Sequence, residues 1–479
     1  MSITANISGS IAGLSPIPTT FDDEIDELRR RVGGQVVTCS DDGYDAARSA
    51  WNLTVDQHPA VIVVAETVAD IAVAVRFART NSLRVAVQAT GHGVGRPADG
   101  ALLIVTSRLT DVTIDPVDRT AYVSAGAKWD AVLTPAQLHG LAPLLGSSSG
   151  VGAIGYTLGG GMGWLARRFG LASDSVIAFD LVTPDGIETR ASATEQPELF
   201  WALKGGGAGS LGVVTGMEIR LFPVEMVYAG NLLYPIEMAG DVLVRWRDGV
   251  AGMSPELTSS VVLMNVPPMD EIPEPLRGKS FVVVRGCWSG DLDAGRQLID
   301  GWREWHAPVI DMFGPIPFSA ADTISDDPAD PMPVMVTSEW ADALSDEMID
   351  ILVTATVPAP GRQPTMQFAE IRHAGGAVRE LGAGAVNRAG RSDEFLVALG
   401  GLVMSAEGGV ALEAALRHTR QQLAPHVTGA TYLNFTEGRE RQERSASAFG
   451  AEHSSRLGTL KSALDPADRF CHGVTVASA

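Results

Sequence analysis

Two glycine-rich segments constrain this chain more than any other feature of its sequence. The first is the turn Thr90-Gly-His-Gly-Val-Gly95, and the second extends from Gly146 to Trp164. Glycine adopts positive φ angles and allows the backbone to approach a ligand closely. Successive backbone N–H groups can then form an anion-binding concavity without a cationic side chain. The two segments therefore predict a backbone cradle for a large cofactor that carries phosphate.

His92 adds a nucleophile to this predicted cradle. It follows the predicted strand Arg84–Gln88 and has a glycine on either side. A neutral imidazole is a competent nucleophile, and the 8α-methyl group of an oxidised flavin becomes electrophilic when the ring tautomerises. A lone histidine in a loop is more often a solvated or capping residue, but the flanking glycines favour attachment. The pattern indicates a covalently held flavin.

A nicotinamide cofactor is the alternative that the glycines leave open. Gly150-Val-Gly-Ala-Ile-Gly155 matches the G-x-G-x-x-G pattern, and Asp174 follows at about the expected spacing of 20 residues. That fingerprint needs a hydrophobic strand before it and a helix that opens from it. Here Gly146-Ser-Ser-Ser149 precedes it, and Gly159-Gly-Gly161 is expected to break any helix. A Rossmann site is therefore the less favoured interpretation.

Charge and cysteine content limit the partners and the compartment. The net charge of −21 argues against nucleic acid or an anionic membrane as a partner. The three cysteines, Cys39, Cys287 and Cys471, form no zinc-binding pattern, so we predict no metal site and a reducing, cytoplasmic setting. The first residues of the chain lack a basic region and are not predicted to be a signal peptide. No apolar run has the length of a membrane span.

The chain length of 479 residues predicts two domains, and the residue pattern changes near Pro223. Before that residue, alternating patterns predict strands Ala60–Val64 and Arg84–Gln88, helices Val68–Thr80 and Pro197–Leu203, a hairpin around Asp115–Asp118, a strand-turn-strand at Leu181–Gly186, and a strand that opens at Gly212. After it, the patterns predict strands Ser260–Asn265, Ser280–Arg285 and Glu394–Met404, with helices near 240–252, 292–306 and 411–424. The second region is therefore expected to be a broad sheet backed by helices.

Short elements in a fixed order extend along nearly the whole chain. They are Trp51-Asn52, Pro59–Val63, Thr90-Gly-His92, Val151–Gly155, Gly159–Trp164, Arg168–Leu171 with Asp174, Asp185-Gly186, Leu199–Ala202, Gly205–Gly207, Gly212–Thr215, Glu370–Ala377, Tyr432–Phe435, Lys461, Asp465-Pro466 and Phe470. In this order they resemble the berberine-bridge-enzyme-like FAD-linked oxidases of the vanillyl-alcohol-oxidase superfamily, among them the bacterial 6-hydroxynicotine and aclacinomycin oxidases.

The resemblance implies an α+β fold in three segments. Residues 1–225 would form a two-lobed PCMH-type FAD-binding domain, with its core at about 55–225. Residues 226–430 would form an α+β substrate-binding domain with a large antiparallel sheet backed by helices. Residues 431–479 would return to the FAD-binding domain.

The resemblance also implies how FAD is held. His92 would form a single covalent link to the flavin, because Ser148 stands where many members have a second linking residue, a cysteine, and serine cannot form the thioether. The residues that it implies as FAD-binding are His92, Ala89, Thr90, Gly91, Gly93, Val94, Ser148, Val151, Gly152, Gly155, Gly159, Gly160, Gly212, Val214 and Asn434.

Tyr432 and Glu370 are the two candidate catalytic bases. Tyr432 matches the first tyrosine of the family's Y-x-N-Y element, although a core tyrosine on a strand is an equal alternative. An ordinary tyrosine pKa is about 10, so neighbouring groups would have to lower it for base catalysis near neutral pH. Glu370 lies where a strand can face the flavin, and a buried structural glutamate is its alternative.

The reaction implied by the resemblance is that of an FAD-dependent oxidase. A substrate C–H, at an alcohol, an amine or a phenol-activated carbon, would give hydride to flavin N5, and O2 would be reduced to H2O2; natural-product tailoring is one setting. Val151 favours oxygen reactivity, because a valine at its position accompanies oxidases. Met162 replaces an aromatic residue of many alcohol-oxidising members, which argues against sugar and monolignol oxidation. A dehydrogenase with another electron acceptor and a flavin-binding protein without turnover are the alternatives.

Overall fold

The computed structural model describes residues 21–206, 209–359 and 361–474, and the amino-terminal segment predicted not to be a signal peptide lies outside them. The helices and strands of the first half are α1 (Asp22–Arg31), β1 (Gln35–Val37), α2 (Tyr44–Arg48), β2 (Val61–Val64), α3 (Val68–Thr80), β3 (Val85–Gln88), β4 (Leu102–Val105), β5 (Val112–Asp115), β6 (Thr120–Ser124), α4 (Trp129–Gln137), β7 (Leu141–Ala142), α5 (Ala153–Leu158), α6 (Ala166–Phe169), β8 (Val176–Val182), β9 (Glu188–Ser192), α7 (Pro197–Leu203), β10 (Val213–Arg220) and β11 (Phe222–Pro223).

The second half contains the longer strands. Its elements are β12 (Met226–Pro235), α8 (Ala239–Val250), β13 (Leu257–Asn265), β14 (Ser280–Trp288), α9 (Leu292–Trp305), β15 (Ile310–Asp311), β16 (Gly314–Pro317), β17 (Val334–Ala341), α10 (Asp346–Thr356), β18 (Phe368–His373), α11 (Ala377–Glu380), β19 (Phe395–Leu402), α12 (Ala406–Leu423), α13 (Gly438–Arg444) and α14 (Ala451–Leu464).

A four-stranded sheet in the order β1-β2-β4-β3 delivers the chain to the first glycine turn. Strands β2 and β3 each pair in parallel with β4, and helix α3 connects β2 to β3. The helix begins at a capping box, in which the Thr67 hydroxyl accepts from Asp70 N–H and the Asp70 carboxylate accepts from Thr67 N–H. Because β3 ends at Gln88, the turn that contains His92 begins at the edge of this sheet.

A second sheet of five antiparallel strands, β5-β6-β10-β8-β9, lies over the core of the amino-terminal half. Its buried face packs on Trp129 of α4 and Ile154 of α5, together with Phe179 of β8. The predicted hairpin around residues 115–118 is confirmed as the β5–β6 connection, and the predicted strand-turn-strand at 181–186 is confirmed as β8 and β9.

The largest sheet has eight strands, and all the strand pairs found in it are antiparallel. Helices α8, α10 and α12 cover one face through Trp246, Met348 and Leu412, which form one core with Val261 and Ile371 of the strands. The α+β fold with a large antiparallel sheet backed by helices is thus confirmed. Because side chains alternate along a strand, the residues next to Val261 and Ile371 in sequence point from the face of the sheet opposite the helices.

Several local features differ from the sequence-based expectation. Helix α5 opens at Gly152, whereas no helix was expected there, and the glycine run ends it at Leu158 rather than preventing it. Helix α12 begins at Ala406, before the expected 411, because the Ser405 hydroxyl accepts from Gly408 N–H. Strand β17 and helix α10 were not predicted.

Asp174, the residue at ribose-binding spacing, forms a buried ion pair with Arg391 and accepts a hydrogen bond from Leu171 N–H. The chain before α5 is a loop after the two-residue strand β7, so the hydrophobic strand that a Rossmann site requires is absent from this described stretch. Asp174 therefore has a structural role in this protein.

The carboxyl-terminal segment returns to the amino-terminal half. Lys461 of α14 donates to the carbonyl oxygens of Ser210 (2.9 Å) and Phe470 (3.0 Å) and pairs with Asp465. Phe470 is buried in the core beneath the first sheet. Within the described ranges, no helix has the length and the apolar composition needed to cross a membrane.

Candidate cofactor and substrate site

A cavity of about 420 Å³ lies where the glycine-rich segments meet the large sheet, a volume within the usual range for ligand pockets. Most residues predicted to bind FAD line it: His92, Ala89, Thr90, Gly91, Gly93, Val94, Ser148, Val151, Gly152, Gly155, Gly212, Val214 and Asn434. The facing wall comes from the large sheet and the carboxyl-terminal segment, including Val334, Val336, Arg372, Phe435 and Glu437. The structure thus brings together segments that are far apart in sequence.

The turn that carries His92 is held against the chain at Ala50–Asn52. Gly91 has φ +80°, and a Cβ atom there would lie 2.7 Å from the Ala50 Cα atom. Trp51 N–H donates to the Thr90 carbonyl (3.0 Å), and Asn52 N–H donates to the Gly91 carbonyl (3.2 Å). Position 91 therefore requires glycine, and the contact fixes the start of the turn.

The His92 imidazole is held in its neutral form. It stacks on the Trp51 ring, with centroids 4.3 Å apart and planes 14° apart, and its Nδ1 lies 2.8 Å from the Thr90 hydroxyl. Burial lowers the pKa of His92 to about 4, and the charge of Lys128 acts in the same direction. At neutral pH the imidazole is therefore unprotonated, as a nucleophile must be.

Helix α13 holds the other side of this turn. Arg441 donates to the Gly93 carbonyl (2.8 Å), and Gln442 donates to the Gly95 carbonyl (2.7 Å). Glu437, at the start of the helix, is half-buried and accepts from Val336 N–H at 3.2 Å. Burial raises the pKa of Glu437 to about 8, so a neutral carboxyl group faces the cavity at neutral pH.

Gly159 and Gly160, predicted to bind FAD, do not line this cavity. A Cβ atom at Gly159 would lie 1.8 Å from the Asn434 side-chain oxygen, and one at Gly160 would lie 2.7 Å from the Asn387 amide nitrogen. These glycines make room for protein side chains. Direct contact of Gly159 and Gly160 with FAD stays a prediction.

Tyr432 is buried directly behind the cavity wall. Its hydroxyl oxygen accepts from Met162 N–H (2.7 Å) and from the Asn434 amide (3.4 Å). Burial raises the pKa of Tyr432 to about 12, against the lowering effect of the Met162 N–H and of the Arg372 charge. Tyr432 does not line the cavity, but its neighbours Asn434 and Phe435 do.

Glu370 also lies outside the cavity lining. Its carboxylate is 2.9 Å from the Arg372 guanidinium and 4.0 Å from that of Arg285. Burial acts to raise the pKa of Glu370, but the two guanidinium charges outweigh it, and the pKa is lowered below its ordinary value. Such a carboxylate is a weak proton acceptor, so its position favours an electrostatic role over that of a base.

Several cavity residues were not in the predicted set. They are Trp51, Tyr156, Arg372, Glu437, Arg441 and His472. The His472 Nδ1 lies 3.0 Å from the Pro97 carbonyl, to which only an N–H can donate, so the neutral ring presents Nε2 as an acceptor. Over the described ranges, His472 Nε2, Tyr156 Oη and Arg441 Nε are buried without a hydrogen-bond partner.

Comparison with known proteins identifies the cofactor class. Residues 59–192 match the FAD binding domain family. The chain is 25% identical over 474 residues to an FAD-linked oxidoreductase of Dictyostelium discoideum, covering 98% of both proteins. It is 31% identical over 236 residues to (R)-6-hydroxynicotine oxidase of Paenarthrobacter nicotinovorans, covering 49% of each. The BBE-like 1 structure of Physcomitrella patens superimposes with a TM-score of 0.83 at 17% identity, over 95% of this chain and 99% of that one.

The chain is an FAD-linked oxidoreductase. Its resemblance to the BBE-like FAD-linked oxidases is confirmed. The lining of the cavity also fits an FAD, independently of these similarities. A glycine-rich backbone wall faces buried polar atoms that have no protein partner among the described residues. Across the same ranges, no cluster of three potential metal-ligating side chains occurs.

Gly159→Ala tests whether this glycine serves packing. The new methyl group would overlap the Asn434 side chain, and overpacking of a filled interior typically costs about 1–3 kcal/mol. We expect a free energy of unfolding lower by that amount, measured by denaturant unfolding. Gly249→Ala is the matched control, because its Cβ atom would meet nothing within 4 Å on helix α8. An unchanged stability for Gly159→Ala would contradict the packing role.

Proposed function

We propose that the protein is an FAD-dependent oxidase with a single covalent link from His92 to the flavin. The substrate would be oxidised at a C–H of an alcohol, an amine or a phenol-activated carbon. Bound in this cavity, FAD would supply the redox chemistry, namely acceptance of a hydride from the substrate and reoxidation by O2 to give H2O2. The observation that carries the proposal is the neutral, half-buried imidazole of His92 in the wall of a glycine-lined cavity.

Different parts of the chain would bind the cofactor and the substrate. Residues 1–225 and 431–479 would bind FAD, with the backbone of the glycine segments and His472 Nε2 facing it. Residues 226–430 would provide most of the substrate wall. Ser148 lines the cavity, and none of the three cysteines does, which supports attachment through His92 alone.

Tyr432 is the proposed base, and its hydroxyl would have to reach the substrate between Met162 and Asn434, which line the cavity and donate to that hydroxyl. A phenol with a pKa of about 12 is a poor proton acceptor at neutral pH, but Met162 N–H, the Asn434 amide and the Arg372 charge all favour its phenolate form. Burial alone opposes ionisation. Glu370, whose carboxylate is paired with two arginines, would act by positioning Arg372.

Val151 supports oxygen as the electron acceptor. It lines the cavity at the start of the segment that leads into α5, and its carbonyl accepts from Trp129 N–H at 3.1 Å. This backbone bond fixes the position of the side chain, and valine leaves more space than leucine would. The three free cysteines, Cys39, Cys287 and Cys471, favour a reducing, cytoplasmic compartment.

Two alternative functions can be distinguished from that of an oxidase by experiment. A dehydrogenase would oxidise the same substrates but pass the electrons to another acceptor. A flavin-binding protein without turnover would keep its FAD oxidised whatever substrate was offered. (R)-6-Hydroxynicotine oxidase, whose name describes an oxidase of an amine-containing compound, supports the oxidase among the three.

His92→Ala is expected to abolish covalent attachment. After acid precipitation, the wild-type pellet should be yellow and the variant pellet colourless, and mass spectrometry should find one FAD on the wild-type peptide that contains His92. His139→Ala, at an exposed position, is the matched control and should keep its covalent FAD. Covalent FAD in His92→Ala would refute the assignment.

Val151→Leu is expected to slow reaction with O2 much more than reaction with substrate, because the larger side chain fills space at the cavity wall. Stopped-flow absorbance would measure the two half-reactions separately, so the reductive half-reaction serves as the internal control. If the wild type reacts slowly with O2 but rapidly with an artificial acceptor, the protein is a dehydrogenase.

Tyr432→Phe removes the hydroxyl group and keeps the ring. General-base catalysis typically contributes about 10²–10⁴-fold, so reduction of the flavin by substrate should slow by that factor. With Tyr432 as base, wild-type kcat/KM should rise with pH from 7 towards 10, since the pKa of Tyr432 is about 12. A profile that is flat above pH 5, together with a normal rate for Tyr432→Phe and a slow one for Glu370→Gln, would assign the base to Glu370.

A further inference from the structure

We propose that the substrate of this oxidase carries a carboxylate, which binds to the guanidinium group of Arg372. The inference rests on the proposed function, because it concerns the substrate that shares this cavity with FAD. It adds the charge of the substrate and the residue that selects it.

Arg372 is placed to meet a ligand. It lies on β18 between Ile371 and His373, and it points from the sheet face opposite the helices, since Ile371 belongs to the core beneath them. It lines the cavity, and its guanidinium carbon lies 4.6 Å from the centroid of the Phe435 ring. The guanidinium group thus lies over the Phe435 ring at the edge of the cavity.

The hydrogen-bonding capacity of this guanidinium is far from filled. One terminal nitrogen lies 2.9 Å from the Glu370 carboxylate, whereas Nε is buried with no hydrogen-bond partner in the described part of the chain. An arginine has five N–H donors in a planar fork. A buried donor without a partner is unfavourable, so a ligand oxygen at this position would recover free energy.

Glu370 does not neutralise the positive charge of this cluster. Its carboxylate is shared between Arg372 and Arg285, so two cations stand against one anion. Asp327 also lines the cavity and its charge raises the pKa of Arg372. However, Asp327 is exposed, and solvent screens an exposed charge more than a buried one. Of the three ion-paired groups in this cluster, only the Arg372 guanidinium lines the cavity, so it presents a positive charge there.

A carboxylate is the group that matches this arrangement. The planar fork of arginine pairs with a carboxylate through two parallel hydrogen bonds, which a neutral amide or alcohol cannot reproduce. The surroundings of the fork are apolar, with Val334, Val336 and Phe435 in the same wall. The substrate would accordingly combine an apolar or aromatic body with one acidic group.

Benzoate and benzamide test the proposal, because they share a shape and differ in charge. Each is titrated into the FAD-loaded wild type, and binding is followed by the change in flavin absorbance and by calorimetry. A hydrogen-bonded charge is worth about 1.5–3 kcal/mol, which corresponds to about 10- to 100-fold in affinity. We expect benzoate to bind more tightly than benzamide by that factor, and Arg372→Gln to remove the preference.

Glu370→Gln sharpens the test in the opposite direction. It removes the negative charge beside Arg372 and nearly preserves shape, so benzoate should bind more tightly than to the wild type while benzamide should not change. Equal affinities for the two probes in the wild type, or no binding of benzoate, would overturn the proposal even if Arg372→Gln failed to fold. If Arg372 instead contacts the flavin, Arg372→Gln would alter the spectrum without ligand and weaken both probes equally.

These outcomes are independent of the oxidase assignment. Binding of the probes needs neither turnover nor O2, so a protein that fails to reduce O2 can still show the benzoate preference. Conversely, a protein that oxidises substrate and produces H2O2 but binds both probes equally would retain its function and lose only the proposed substrate class.

Discussion

The close approach of Gly91 to the backbone at Ala50 is the contact on which the site depends. Because the Cβ atom of any other residue would lie 2.7 Å from the Ala50 Cα atom, only glycine allows the turn to approach the Ala50 backbone this closely. Two backbone hydrogen bonds then fix the turn, and His92 stacks on Trp51. Helix α13 reaches the same turn from the far end of the chain through Arg441. The proposed attachment of the cofactor thus depends on three distant segments folding together.

Buried ionic groups hold these segments in place. Arg391 pairs with Asp174 across the two halves of the chain, and Arg167 donates to carbonyl groups around 253–257 and at 374. Lys461 ties the carboxyl-terminal segment to the amino-terminal half. Removing one partner of a buried pair is strongly destabilising, since the other charge is left without compensation. Such pairs therefore add little to the net free energy of folding. They destabilise other arrangements of the two halves, because a charge would then be buried without its partner.

Sequence reasoning identified the backbone side of the site better than its side-chain side. The glycine pattern pointed to most of the residues that line one wall, because glycine marks close backbone approach whatever lies opposite. It cannot distinguish approach to a ligand from approach to a side chain, and the side chain that lies closest to Gly159 in the structure is Asn434. Arg372 was missed for another reason: strand alternation places Glu370 and Arg372 on the same face, and only tertiary packing decides which of them reaches the cavity.

The charge of Arg372 connects substrate recognition to the proposed base. Its guanidinium pairs with Glu370 and also favours the phenolate form of Tyr432. An anionic ligand beside Arg372 would compensate part of that charge, so the pKa of Tyr432 would rise when the ligand bound. A higher pKa of Tyr432 would reduce the fraction of phenolate but make each phenolate a stronger base. These two effects act on the rate of proton removal in opposite directions. Because Glu370 sets how much of the Arg372 charge is free, a residue outside the cavity governs both the affinity for an anion and the basicity of the phenol.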